Sequence, residues 1–549
     1  MSTHVGRKSG ARAAQLNPHN IRARDWSKRN ISGTCSYMQI LMQKVFMPPF
    51  ARRLASVLVP VLPLLMSFPS PAEPDISKPL PQGLAANAAP AETPEFPLPA
   101  TASPEASAKF GENIQRTMTL LATSTRTHRK RVKILFYGQS ITEQTWSKTV
   151  ADDLRRRFPN ADLEIQNRAI GGFSTQILHK TAEHDLYPFY PDLTILYVYG
   201  SHLDYLTLVD NIRRRTTSEI LLQNEHVTTE GDLTEETNFD KVPQSSWGAW
   251  MSYHFLSETA DKYGAELVDQ RTPWKAYLRD NKLEPRDLLI DGVHLNKRGN
   301  FLMAELVKPH LIYNPKLSIE PWKKLVHEYS YQGGLKTDKA ISVKNNRLSL
   351  KFDGNRIDLV AGTPRVRGKL ARTLRVLIDG KKPSEHPELY AFTRPSSTPN
   401  VGWPAIIRVD HEKPLIVEEW TARITRINED ASKFKFDVTG SKTGPDGSGT
   451  SEARFVSNSG RVVIEPENWW PHHDWELTKK PTPVGFETKW RVVPSFTDTY
   501  TAPRIEDRTR EYATTLAQGL SNNSHTLELI ADGGVMPIES IRVYQPPLS

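Results

Sequence analysis

Cysteine is all but missing: Cys35 is the single one in 549 residues. An intrachain disulfide framework is excluded, and with it a structural zinc site of the cysteine type. Long apolar stretches are scarce as well. The run Leu54–Met66 holds thirteen residues, two of them Pro, and is too short and too broken for a comfortable spanning helix. No membrane span is expected in the mature chain. No glycine-rich phosphate loop is present, because GSKTGPDG lacks the spacing and follows no strand-to-helix signal. There is no H-E-x-x-H and no His/Cys grouping, so no metal and no cofactor are expected. The body of the chain also lacks a charge excess. Residues 1–72 carry ten Lys and Arg against one acid, Asp25, which accounts for the whole formal charge of +9. The remaining 477 residues are balanced, which argues against a nucleic-acid partner.

What is present divides the chain into four parts. Arg52 and Arg53 precede the run 54–66, and Ser70 and Ala72 follow at the small-residue positions of a cleavage site. Residues 1–72 therefore read as a leader with a secretory signal, and the protein is expected to be exported. The start residue is open between Met1 and Met47. Residues 73–104 are rich in Pro and Ala and read as a linker.

Residues 105–318 alternate apolar runs with helical patterns. A helix is expected from about Glu105, with Phe110, Ile114, Met118 and Leu121 at helical spacing; the basic THRKRVK that follows reads as a solvated turn. Strands are expected at 133–137, 163–170, 192–200, 219–227 and 265–269. Helices are expected at 149–158, 175–185, 206–212, 247–263 and 297–310. This alternation predicts an α/β fold, a parallel sheet flanked by helices on both faces, with ligands at the carboxyl ends of the strands. Residues 319–549 switch to period-two runs separated by Gly, Asn and Pro turns, which predicts an all-β, jelly-roll-like sandwich module. GSKTGPDGSGTS (440–451) reads as a loop or hairpin tip.

Four short blocks fall at or near the strand ends: Gly138-Gln139-Ser140, Asn167-Arg168-Ala169-Ile170-Gly171-Gly172, Gly200-Ser201-His202, and Asp291-Gly292-Val293-His294. A Ser hydroxyl needs a base within reach to act as a nucleophile, and His294 can serve. Asp291, three residues earlier, can orient the imidazole. The ordered set resembles the SGNH (GDSL-like) hydrolase superfamily. GQSIT stands at its nucleophile block, and DGVHLNKRGN resembles its D-x-x-H block. NRAIGG is similar to the second block of rhamnogalacturonan acetylesterase-like members. The resemblance covers about 105–312. It implies a flavodoxin-like fold, a catalytic set Ser140, Asp291 and His294, and an oxyanion hole from the N–H groups of Ser140 and Gly172. The family's third donor is an Asn in a G-x-N-D block. Here His202 stands in that place and Asp204 comes one residue late. An imidazole can donate too, with a different reach.

Plainer readings exist for each residue. Ser140 can be a strand-end turn or helix N-cap, Asp291 and His294 a capped turn, Gly172 a tight turn, His202 a strand-end hydrogen-bonding residue with no oxyanion role, and Asp204 a solvated or capping group. WWPHHDW (469–475) can face a sugar, hold a metal or simply pack, and packing is favoured. Trp403, Trp420 and Trp490 read as core. The expected function is an exported serine esterase acting on an O-acyl, acetyl-type ester of a carbohydrate. The alternatives are a lipase or thioesterase of small esters, and a catalytically degenerate envelope protein whose carbohydrate-binding β module binds a glycan. The partner is then an acylated polysaccharide or a small ester substrate. The oligomeric state is left open.

Overall fold

A computed structural model describes residues 94–317, 324–362 and 368–548. The leader and signal expected at 1–72, most of the linker expected at 73–104, and the boundary expected at 318/319 lie outside the described residues.

Five strands form the first layer: β1 (Arg131–Gly138), β2 (Asp162–Asn167), β3 (Leu193–Tyr197), β4 (Glu219–Gln223) and β5 (Glu266–Val268). All pairings are parallel, in the order β2-β1-β3-β4-β5. This is the flavodoxin-like doubly wound order, whose crevice opens at the carboxyl ends of the strands. Every residue of β3 and β4 is buried, because helices cover both faces. The covering helices bury one stripe each: Trp146, Val150 and Leu154 lie on one face of Thr145–Arg157.

Three local features depart from the sequence pattern. The helix expected from Glu105 is broken in two, a short helix Pro104–Ser107 and a longer one Gln115–Ala122, because the N–H groups of Gly111 and Asn113 between them go to the Glu266 carboxylate instead of a helical ladder. The helix expected at 247–263 carries a π turn at Met251–Phe255. A further helix, Arg271–Asp280, buries Trp274, Tyr277 and Leu278.

The remaining strands are β6 (Val326–Ser330), β7 (Ile341–Lys344), β8 (Arg347–Ala361), β9 (Thr373–Ile378), β10 (Tyr390–Phe392), β11 (Glu419–Ile427), β12 (Phe434–Gly440), β13 (Gly444–Thr450), β14 (Phe455–Val456), β15 (Val463–Ile464), β16 (Glu487–Pro494), β17 (Thr499–Thr501), β18 (Ala513–Ala531) and β19 (Ile538–Tyr544). They build two bodies with separate hydrophobic clusters. The first is a seven-stranded sheet centred on β8 and β18. Their register shifts between Gln518 and Asn523. Across this shift the buried side chains of β8 change phase, from Leu348, Leu350 and Phe352 to Ile357 and Leu359, and all five join one cluster. The strand pair thus bends over its own core, as in a sandwich made from long strands.

The second body, within residues 390–494, is inserted between β9 and β17. Its sheet runs β10-β16-β11-β12-β13 over a cluster containing Trp420, Phe436, Trp469 and Trp490. The glycine-rich stretch read as a loop supplies β13, which pairs with β12 because the two ends of a short turn are held in antiparallel register. WWPHHDW runs into a helix, Pro471–Thr478, started by Pro at its first turn. This body clasps the α/β layer. Arg394 makes a two-pronged ion pair with the buried Asp185, and Ile407 joins the α/β cluster. Among the described residues no helix is long and apolar enough to cross a membrane.

Candidate active site

β1 ends at Gly138, where a side chain would collide with the Tyr197 carbonyl oxygen and the Thr142 hydroxyl. These two groups hydrogen-bond each other at 3.0 Å. The close approach lets the chain turn at once into the short helix Ser140–Glu143, with Ser140 at its exposed-end first position. Asp291 and His294 lie in the turn that precedes the helix Lys297–Val307.

The three side chains form one hydrogen-bonded row. Asp291 Oδ2 lies 2.9 Å from His294 Nδ1, and His294 Nε2 lies 2.9 Å from Ser140 Oγ. A carboxylate only accepts, so Nδ1 carries the proton and Nε2 is left to accept the serine O–H. Asp291 Oδ1 accepts the N–H groups of Val293 and His294, both at 2.8 Å. Burial pushes the Asp291 carboxyl up, but these N–H groups and the imidazole outweigh it and hold it below its ordinary value. Asp291 is therefore ionised at neutral pH.

Side chains outside the catalytic row lock the two blocks together. The Gln144 amide donates to Leu295 O at 2.9 Å and accepts from Leu295 N at 3.0 Å. Asn300 accepts from Trp146 N at 3.0 Å and donates to the carbonyls of Leu295 and Asn296. The buried His226 holds the other side of the turn: Nε2 lies 2.8 Å from Val293 O, and Nδ1 lies 2.7 Å from Tyr197 Oη. Burial brings the His226 imidazole down to about 4. The neutral ring donates to the carbonyl and accepts from the phenol.

Gly171 and Gly172 stand beside the serine, since a Cβ on Gly171 would lie 3.5 Å from Ser140 Cβ. Among the described residues neither Ser140 N nor Gly172 N donates to a protein acceptor. Gly172 has φ +81°, and a Cβ there would meet Trp403 at 2.9 Å, so only glycine fits. His202 opens the helix His202–Arg215, one residue after the cap Ser201. Its imidazole sits among Trp247, Trp250 and Phe255, with ring centroids 5.5–5.8 Å away, and has no hydrogen-bond partner among the described residues. Burial lowers its pKa against the opposing pull of Asp204, which keeps the ring neutral. Asp204 itself faces His179 at 3.5 Å.

The inserted body supplies the wall on the Gly172 side. Trp403 is not part of a β core: its Nε1–H donates to Gly171 O at 2.7 Å. Trp420 and Trp490 are fully buried in the insert. Of the WWPHHDW run, Trp469 joins the insert's cluster, and Trp470 stacks on Phe173 at 5.1 Å beside Trp403. Buried Asp474 accepts from Val401 N, Asn400 Nδ2 and Thr398 Oγ1, and so ties down the loop that carries Trp403. Among the described residues no group of three or more His, Cys, Asp or Glu is placed to hold a metal ion.

No family model matches the chain. No curated protein matches it either. Among solved structures, it is similar to a two-domain esterase active on acetylated mannans, crystallised with mannopentaose: 13% identity, TM-score 0.30, over 80% of this chain and 95% of that one. An acetyl xylan esterase aligns at 21% identity and TM-score 0.27, over 32% of this chain and 97% of its own. An acetylxylan esterase from Geobacillus stearothermophilus aligns at 16% identity and TM-score 0.29, over 35% of this chain and 98% of its own. The reading of the site rests on its own geometry.

Proposed function

We propose that this protein is a serine ester hydrolase that removes an O-acyl group, acetyl in the first instance, from a carbohydrate. The observation that carries the reading is the unbroken row Asp291–His294–Ser140, each link 2.9 Å. Ser140 Oγ attacks the ester carbonyl while His294 Nε2 takes its proton. The negative charge on the carbonyl oxygen meets the unpaired N–H groups of Ser140 and Gly172, with neutral His202 as third donor. His294 then gives its proton to the departing sugar oxygen. Water, deprotonated by the same imidazole, releases the acid and restores Ser140. Asp291 stabilises the imidazolium in both halves. The aromatic rings of Trp403 and Trp470 beside the Gly171–Gly172 turn support a sugar as the alcohol part. The basic, apolar and small-residue order of residues 52–72 supports export, where such polymers lie.

The test is acetate release from acetylated xylan and acetylated mannan by the full chain, beside Ser140→Ala and Asp291→Asn. The reading predicts release that both substitutions abolish or nearly abolish. Release that survives Ser140→Ala contradicts it.

A further inference from the structure

The inserted β body reaches the reacting groups through a single peptide unit. Ile170 O accepts from Phe173 N at 3.1 Å, and Gly172 at φ +81° occupies the third position of that turn. This is a type II β-turn, in which the central peptide joins Gly171 to Gly172. With glycine at both central positions, that peptide has little to stop it rotating to the type I arrangement. The rotation would reverse the Gly172 N–H, which in the proposed function is an oxyanion donor.

A trans peptide holds its C=O and N–H on opposite sides. Whatever fixes the Gly171 carbonyl therefore aims the Gly172 N–H. Trp403 Nε1–H fixes it, at 2.7 Å. Glu143, in the same helical turn as Ser140, holds the preceding Gly171 N–H at 2.9 Å. The Trp403 ring also closes the space beside Gly172, and Asp474 anchors its loop.

Resting on the esterase reading, we propose that Trp403 is a positioning residue: it holds the Gly171–Gly172 peptide in the orientation that presents the Gly172 N–H to the oxyanion, so the inserted β body is part of the catalytic unit. The hydrogen bond also polarises that peptide, which strengthens its N–H as a donor.

The experiment compares the full chain with Trp403→Phe, and with Trp403 replaced by its benzothiophene analogue, which keeps the ring shape and loses only the N–H. Turnover of p-nitrophenyl acetate, Ser140 labelling by a fluorophosphonate and thermal unfolding are followed together. The proposal predicts that kcat, kcat/KM and the labelling rate fall together by about tenfold or more in both variants, short of the full 10²–10³ loss of a donor. Thermal unfolding of the benzothiophene form is expected to be unchanged. Rates within twofold of wild type in the benzothiophene form overturn the proposal and leave the esterase reading standing. Absence of both turnover and Ser140 labelling in the wild type overturns the esterase reading, and this proposal with it.

Discussion

His226 offers a perturbation whose size follows from its surroundings. In the folded chain it is buried, with Nε2–H committed to Val293 O and Nδ1 to the Tyr197 hydroxyl. Burial brings its pKa from 6.5 down to about 4. Between these values the unfolded chain binds a proton that the folded chain refuses. Stability from this group is therefore complete above pH 6.5 and is lost as the pH falls towards 4. The displacement corresponds to about 3 kcal/mol in total, most of it already lost at pH 4.5. Gln cannot titrate, yet it can donate to the same carbonyl. Urea unfolding of wild type and His226→Gln at pH 7.5 and pH 4.5 isolates the effect by difference. The wild type is expected to lose about 2–3 kcal/mol more than the variant between the two pH values. Equal losses would refute the claim that His226 is held neutral under the turn that carries His294.

Two further outcomes are expected. His202→Asn, which replaces the imidazole with another N–H donor, should retain esterase activity, whereas His202→Phe should lose about 10²–10³ in kcat; equal rates would remove His202 from the oxyanion hole. Arg394→Ala strands the carboxylate of Asp185, whose side chain is 3% exposed, and should cost about 3 kcal/mol by calorimetry; an unchanged unfolding temperature would show that the clasp contributes nothing.

The five parallel strands were legible because each is a short apolar run followed by a helical pattern. The helix 175–185 was legible to the residue for the same reason. Three of the blocks fall at or just past strand ends and the fourth precedes a helix, and the structure brings Ser140, Asp291 and His294 into one row beside Gly171 and Gly172. What the sequence hid depends on contacts between distant segments. Gln144, His226 and Trp403 carry no local signature: their partners are 151, 67 and 232 residues away. Period two in residues 319–549 reveals strands but not which sheet each joins, so the inserted body was invisible. The glycine-rich β13 has low strand propensity and is held by its neighbour β12. In WWPHHDW the local pattern suits no single surface, because Trp469, Trp470 and Asp474 serve the insert's core, the Phe173 contact and the Trp403 loop in turn.

The central claim is that Ser140 is a nucleophile activated by His294. Mixing the full chain with p-nitrophenyl acetate, quenching within the first turnover and mapping the acetyl group by mass spectrometry tests it most directly. The account predicts acetyl on the peptide containing Ser140, absent from Ser140→Ala and from His294→Ala. Acetyl found on another residue, or turnover that continues in Ser140→Ala, would contradict it.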